Sequence, residues 1–310
     1  MAHDHFHPEQ FSGDPAVAGM LKRVTLFSVG VATLLVAAKL LAWWQSGSLA
    51  MLSSLTDSVF DLLSSALNFV AIRYALKPAD DDHRFGHTSI EDIASLAQCA
   101  FITASMFIII LQSVSRLFNP TPLSHEGLGI AVSILGMIAA TSLVIYQTRV
   151  ARHSKSLVVR SDRLHYAGDI AFNLGVLISL YASMHYGWEW ADPAMALLIA
   201  ACVLWSSRSI GIRAFNHLMD REMSDADKEK IYQVLKQCSD LRGYHNLKTR
   251  YSGTKSFIQF HAEIDARLPF RSAHAIVDGL ETALQQAFPG ADVIVHPDPV
   301  EIRDGRAYDA

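Results

Sequence analysis

The sequence predicts a membrane-embedded domain of six helices followed by a small cytoplasmic α/β domain. Three observations predict it. Six long apolar stretches fill the first two thirds of the 310 residues. The charge content is 18%, against roughly 25% in soluble proteins, and the deficit belongs to those stretches. From about Asp220 the chain turns polar, and its apolar residues recur first at helical spacing and then at period two.

The apolar stretches are Val24–Trp44, Leu49–Tyr74, Ile93–Val114, Gly127–Tyr146, Ile170–Tyr186 extended back to about Leu157, and Trp190–Ile212. Each is near or above the ~20 residues that cross ~30 Å of hydrocarbon as a helix. A soluble bundle rarely needs six of them. Met1–Phe11 is polar and reads as a tail with no secretory signal. In the last third, Ile231, Val234, Leu235 and Cys238 mark a helix, and strands are expected near Tyr244–Tyr251 and over Phe257–Asp265. Ala273, Ile276, Val277, Leu280, Leu284 and Phe288 mark a second helix, and Ala291–His296 a last strand. The order is αββαβ, a two-layer arrangement. The expected boundaries are a tail over 1–21, a helical membrane domain over 22–216 and the α/β domain over 217–310.

Loop charges set the orientation, because basic residues stay on the cytoplasmic side. Lys22 and Arg23 precede the first span; Arg73, Lys77 and Arg84 flank the second loop. Arg149, Arg152, Lys155 and Arg160 crowd the fourth, and Arg208 and Arg213 follow the last span. The alternate loops are nearly bare, so both termini are expected in the cytoplasm and the protein in the inner (plasma) membrane. Lys39 lies inside the first span and reads as a side chain snorkelling to the interface. The net charge of −4 argues against nucleic-acid binding. Three scattered cysteines form neither a CxxC pair nor a disulfide framework.

Carboxylates inside a span are costly and mark function. Asp57 and Asp61 lie four apart on the second span; His165 and Asp169 have the same spacing on the fifth. Residues four apart share a helix face, so the two pairs can converge as three oxygens and a nitrogen, a tetrahedral set for a divalent ion. Carboxylate plus imidazole suits Zn²⁺ and other borderline ions; the lack of a thiolate argues against Cu(I), and the imidazole against Mg²⁺ or Ca²⁺. Three carboxylates bring −3 against +2, so an empty site is expected to hold protons, with His165 the first proton carrier. Asp162, one turn earlier, reads as an entrance residue or a solvated cap.

Two further clusters stand outside the spans. Asp80, His83 and His87 lie in the second cytoplasmic loop, either as a three-ligand site or as a solvated acidic turn. In the α/β domain His261 shares a strand face with Gln259 and Glu263, and His296 and Asp298, two apart, point the same way. With His245 and His274 they make one or two metal sites bridged by Asp298. His3, His5 and His7 read as a mobile tail; His125, His153, His185 and His217 have no companions.

These pieces together resemble the cation diffusion facilitator family, in its bacterial zinc and divalent-cation exporter branch. The resemblance runs from about Lys22 to Pro299. It rests on SGSLAMLSSLTDSVFD (46–61), RYALKPADDDHRFGH (73–87), SDRLHYAGD (161–169), FIQFHAEID (257–265) and VIVHPDP (293–299) in that order. It implies six transmembrane helices, a metallochaperone-like cytoplasmic domain, a homodimer and proton-coupled export of Zn²⁺ and related ions such as Cd²⁺ or Fe²⁺. It implies a transport site of Asp57, Asp61, His165 and Asp169, and a loop site of Asp80, His83 and His87. It also implies a cytoplasmic binuclear site of His245, His261, His274, His296 and Asp298. Two departures stand out. Where the family commonly has GHGKAE this chain has Gly86-His87-Thr88-Ser89-Ile90-Glu91, so a charge interlock to Asp220 across the dimer lacks its lysine. The HQDP segment has become His296-Pro297-Asp298-Pro299, with a stiffer backbone.

Two other readings stay open at this point. A membrane-bound zinc sensor without transport explains the cytoplasmic histidines but not the carboxylates in the spans. A membrane metalloenzyme meets no HExxH motif, no GxSxG elbow and no spare general base, so the protein is read as no enzyme but a secondary-active transporter, with the lipid bilayer, divalent ions and protons as its partners.

Overall fold

The structure, a computed structural model, describes residues 15–46, 49–118, 127–188, 190–303 and 306–309. The chain divides into two compact units, one of Ala16–Lys77 with Ile90–Phe215, the other holding Pro78–Ser89 with Asn216–Ala310.

The first unit is helical. Among the described residues it comprises α1 (Pro15–Ser46), α2 (Leu49–Ala75), α3 (Ile90–Phe118), α4 (Gly127–Ser154), α5 (Leu157–Tyr186) and α6 (Ala191–Leu218). The helix α1 starts at Pro15 rather than near residue 22; proline suits a first helical position, where its missing N–H costs nothing. Five of the six are long and apolar enough to cross a membrane. The exception is α5, which gathers Arg160, Asp162, Arg163, His165 and Asp169 into its first half. That polar load is compatible with the interior of the unit, since α5 packs against α2, α3 and α4.

Outward faces are apolar: Leu34, Leu41, Leu63, Leu67, Val70, Phe107, Ile138 and Ile178 are exposed on them. In water such a surface would drive aggregation; in hydrocarbon it is the solvated side. Hydroxyls inside the helices turn back on their own backbone, as Thr25 does to the Leu21 carbonyl, Thr103 to Cys99 and Ser179 to Gly175. That satisfies them where no water is available. Two glycines of α5 leave room for side chains of α6. A Cβ on Gly175 would sit 2.8 Å from Ile199 Cδ1, and one on Gly168 3.4 Å from Val203 Cγ2.

The second unit is α/β, with α7 (Asp225–Gln237), β1 (Gly243–Ser252), β2 (Lys255–Asp265), α8 (Phe270–Ala287), β3 (Asp292–Arg303) and β4 (Arg306–Asp309). Ser224 caps α7, its Oγ accepting the Asp227 N–H at 3.2 Å and donating to the Asp227 carboxylate at 2.6 Å. The strands lie in the order β1-β2-β3-β4. The pair β1/β2 is antiparallel, closed by a tight turn whose Gly253 takes φ +55°, β2/β3 is parallel with α8 as the crossover, and β3/β4 is antiparallel. Ile231, Leu235, Val277, Leu280 and Leu284 of the helices meet Ile258, Phe260, Ala262, Ile264, Val293 and Val295 of the sheet in one core.

Two features differ from the sequence expectation. β3 continues to Arg303 through two prolines, and β4 joins it. The prolines fit because of parity. The Val295 N–H donates to the Glu281 carboxylate at 3.1 Å instead of to β2, so odd-numbered residues of β3 aim their N–H groups away from β2. Pro297 and Pro299 fall on that side, and β4 pairs only with Val300–Arg303. No ladder bond is lost.

Candidate metal centres

Among the described residues, three groups of His and Asp side chains each bring ligand atoms within 4.8 Å of one another. In the helical unit, Asp61 of α2 meets His165 and Asp169 of α5. His165 Nε2 lies 2.8 Å from Asp61 Oδ1 and 3.8 Å from Asp169 Oδ2. The ring is flanked edge-on by Phe101 of α3 and by Tyr166, with centroids 6.0 and 5.5 Å away, so its orientation is set by packing as well as by the carboxylates. Asp57 stands one turn before Asp61, exposed, and outside this three-residue group. Lys39 of α1 reaches across to α2. Its Nζ donates to the Ser54 carbonyl at 3.1 Å, and its charge acts on Asp57, Asp61 and Asp169.

Asp162 is neither a solvated cap nor an entrance residue at the interface. It is buried, and its carboxylate accepts from Ser28 of α1 at 2.9 Å, Asn68 of α2 at 3.1 Å and Gln147 of α4 at 2.6 Å. Neutral donors from three helices hold a carboxylate one turn from His165. Beside it, Ser65 and Tyr166 share a hydrogen bond of 3.0 Å, and Ser64 bonds Gln98.

The loop group is Asp80, His83 and His87. Asp80 Oδ1 accepts the His83 N–H at 2.8 Å and lies 3.2 Å from His83 Nδ1, while Oδ2 lies 3.3 Å from His87 Nε2. The backbone N–H of His83, followed by its ring and that of His87, holds the Asp80 carboxyl below its ordinary value. Gly86, at φ +86°, donates to the His83 carbonyl and turns the chain so that both rings reach the same carboxylate, 4.5 Å apart. His87 is buried whereas Asp80 and His83 are exposed, so this is an anchored turn rather than a wholly solvated one.

The third group, His245, His261 and Asp298, is built by strand register, and His296 stands beside it. His245 on β1 is directly across from His261 on β2, and His261 from His296 on β3. All three lie on the sheet face opposite the core. A bulge follows His245, with Asn246 at φ +53°. Asp298 binds them together: Oδ2 is 3.2 Å from His245 Nε2 and 2.9 Å from His261 Nδ1, and Oδ1 is 3.2 Å from His296 Nε2. His274 is not among them. It stacks on Phe270 and lies 3.6 Å from Asp278, both on its own helix α8.

Two partners escaped the sequence reading. Glu263, two residues from His261 and so on the same face, reaches His245 Nδ1 at 3.1 Å. Gly243 makes room for it, since a Cβ there would run into the Glu263 carboxylate. Arg250 pairs with Asp220 at 2.8 Å within the chain. Ser89 and Thr88 instead share hydrogen bonds with Ser252 at 2.8 and 2.9 Å, and no sequence signal links those hydroxyls.

Comparison with known proteins agrees with this architecture. Residues 25–219 match the cation efflux transmembrane domain and residues 223–300 the cation efflux protein cytoplasmic domain. The chain is 39% identical over 292 residues to the cation-efflux pump FieF of Salmonella choleraesuis (strain SC-B67), covering 94% of this chain and 97% of that one. FieF of Salmonella newport (strain SL254) matches equally well. A solved structure of CzrB in its Zn form is 35% identical over 25% of this chain and 90% of its own, with a TM-score of 0.24. With both domains matched and a curated pump similar along nearly its whole length, this chain belongs to the cation efflux, or cation diffusion facilitator, family of membrane proteins.

Proposed function

We propose that this cation efflux protein is a proton-coupled antiporter that exports Zn²⁺, together with Cd²⁺, Fe²⁺ or related divalent ions, from the cytoplasm. The observation that carries the reading is the Asp61–His165–Asp169 group, which joins α2 to α5 inside an apolar helical unit. Asp57, one turn along α2, completes the tetrad. His165 Nε2 faces Asp61 Oδ1 across 2.8 Å, and in this reading the metal-free site carries a proton there. Zn²⁺ entering from the cytoplasm takes the place of that proton, because imidazole and carboxylate bind metal only when deprotonated. Movement of α2 against α5 then opens the site outward, where protons weaken the ligands and release the ion.

In this reading residues 22–216 carry transport, and residues 217–310 form a cytoplasmic regulatory domain of a homodimer. The set His245, His261, His274, His296 and Asp298 holds Zn²⁺ that stabilises the dimer, with Asp298 as the bridge. Imidazole and carboxylate donors around one aspartate suit that ion. Asp80, His83 and His87 hold a further ion in the loop.

The test is Zn²⁺ flux into proteoliposomes under an imposed pH gradient, with lumenal pH recorded, for wild type and Asp169→Ala. Zinc uptake with opposite proton movement, lost in the variant, is the expected result. Binding without gradient-dependent flux would overturn the antiporter and leave a sensor.

A further inference from the structure

Where α4 and α6 end and α5 begins, four arginines converge on one cavity of about 370 Å³. They are Arg152 of α4, Arg160 and Arg163 of α5, and Arg213 of α6. Ser206 and Ser209 of α6 add two hydroxyls to the lining. None of the four guanidiniums pairs with a carboxylate among the described residues. Arg160 feels the like charges of Arg213 and Arg163, so the cavity concentrates positive charge that no carboxylate among the described residues pairs with. The helix α5 also starts here, at Leu157, and a helix N-terminus adds its own positive end.

Basic residues at these helix ends are expected from topology alone, but topology does not require them to share a concavity. Convergence of several guanidiniums matches a phosphate, which takes two parallel N–H donors from each fork. The remaining lining is apolar, with Leu157, Leu164 and Ile210 beside the arginines. A free anion gains nothing from those side chains, whereas a glycerophospholipid carries apolar matter directly beside its phosphate. About two turns from Arg213, Trp205 is exposed with the Arg208 guanidinium 6.0 Å from its ring. An exposed tryptophan next to a cation is the pairing found at headgroup level.

We infer that this cavity binds the phosphate headgroup of an anionic phospholipid, with Arg160 and Arg163 as its principal ligands and Arg152 and Arg213 closing it. The site is separate from the metal centres, and its occupancy couples the ends of three helices, including the one that carries His165 and Asp169. Basic pockets between membrane helices are suited to such headgroups.

The experiment titrates the full-length protein in detergent with phosphatidylglycerol, phosphatidylcholine or inorganic phosphate and reads the thermal midpoint of unfolding. Wild type should show a saturable rise with phosphatidylglycerol alone. In Arg160→Gln/Arg163→Gln the half-saturating lipid fraction should rise about 30-fold, and in Arg213→Gln, which keeps the principal ligands, about 5-fold. Equal half-saturation in wild type and both variants would overturn the site. A shift produced equally by inorganic phosphate would overturn the lipid as its occupant. Should the double variant fail to fold, the Arg213→Gln comparison decides the question by itself.

Discussion

Replacing Asp162 with alanine removes the acceptor on which α1, α2 and α4 meet α5, and the structure sets the size of the effect partner by partner. Ser28 Oγ has an alternative in the Val24 carbonyl at 3.2 Å, so it is not stranded. Gln147 Nε2 keeps Ser28 Oγ at 3.2 Å. Asn68 Nδ2 has no such substitute among the hydrogen bonds it makes and is left buried without an acceptor. One stranded buried donor costs about 1–3 kcal/mol. With the loss of the remaining bonds to the carboxylate, the net destabilisation for Asp162→Ala is roughly 2–4 kcal/mol. Asp162→Asn behaves differently. Its Oδ1 still serves Asn68, and its new amide needs an acceptor on the Gln147 side. Gln147 Oε1 is buried without a partner, so turning that amide over supplies one. The cost of Asn is therefore below about 1 kcal/mol. The assay is unfolding of the full-length protein in detergent, followed by tryptophan fluorescence. An alanine variant as stable as wild type, or an asparagine variant as damaged as alanine, would refute the assignment of this network.

Other substitutions test the α/β unit. Leu284→Ala deletes a fully buried side chain from the core formed by α7, α8 and the sheet, and should cost about 2–5 kcal/mol by chemical denaturation. Glu263→Gln should weaken zinc binding at the strand histidines about 10- to 100-fold by calorimetry, since it loosens the His245 ring without removing a ligand; Asp298→Ala should abolish one binding event. The side chain of Arg267, and then its backbone N–H, hold the Asp265 carboxyl well below the usual range. A depressed folded pKa makes this contribution full above the ordinary carboxylate value near 4, and lost as pH falls through the lower folded value. Arg267→Ala should therefore shift the Asp265 carboxyl resonance midpoint in a pH titration up towards 4, with no change in stability between the variants at the acid end.

Local spacing was sufficient for some sites. Asp80, His83 and His87 lie within one short loop, where a backbone turn alone can bring them together, and His165 and Asp169 share a helix face by the 3.6-residue period. The same period placed Asp57 beside Asp61, yet only Asp61 reaches the His165 ring, because that depends on the rotation and depth of α2 against α5. In the sheet, alternation indicated which residues face away from the core. Whether His245, His261 and His296 stand in one row is a matter of register, set by the bulge at Asn246 and by the parallel pairing of β2 with β3. β4 was missed because four residues carry too little pattern, although Asp304-Gly305 is a hairpin dipeptide.

The sequence by itself determined the membrane character, the two-part organisation and the family, because these follow from the length of apolar runs, the periodicity of core residues and motifs quoted in order. Tertiary structure alone decided where polar side chains find their partners. It buried Asp162 among three neutral donors, turned Lys39 onto a carbonyl of α2, gave Asp220 a cation from Arg250, and gathered four arginines from three helices around one cavity. The physical reason is that apolar burial is non-directional and additive along a segment, so composition reports it. A hydrogen bond or ion pair is directional and short, and its partners lie many residues away in the chain.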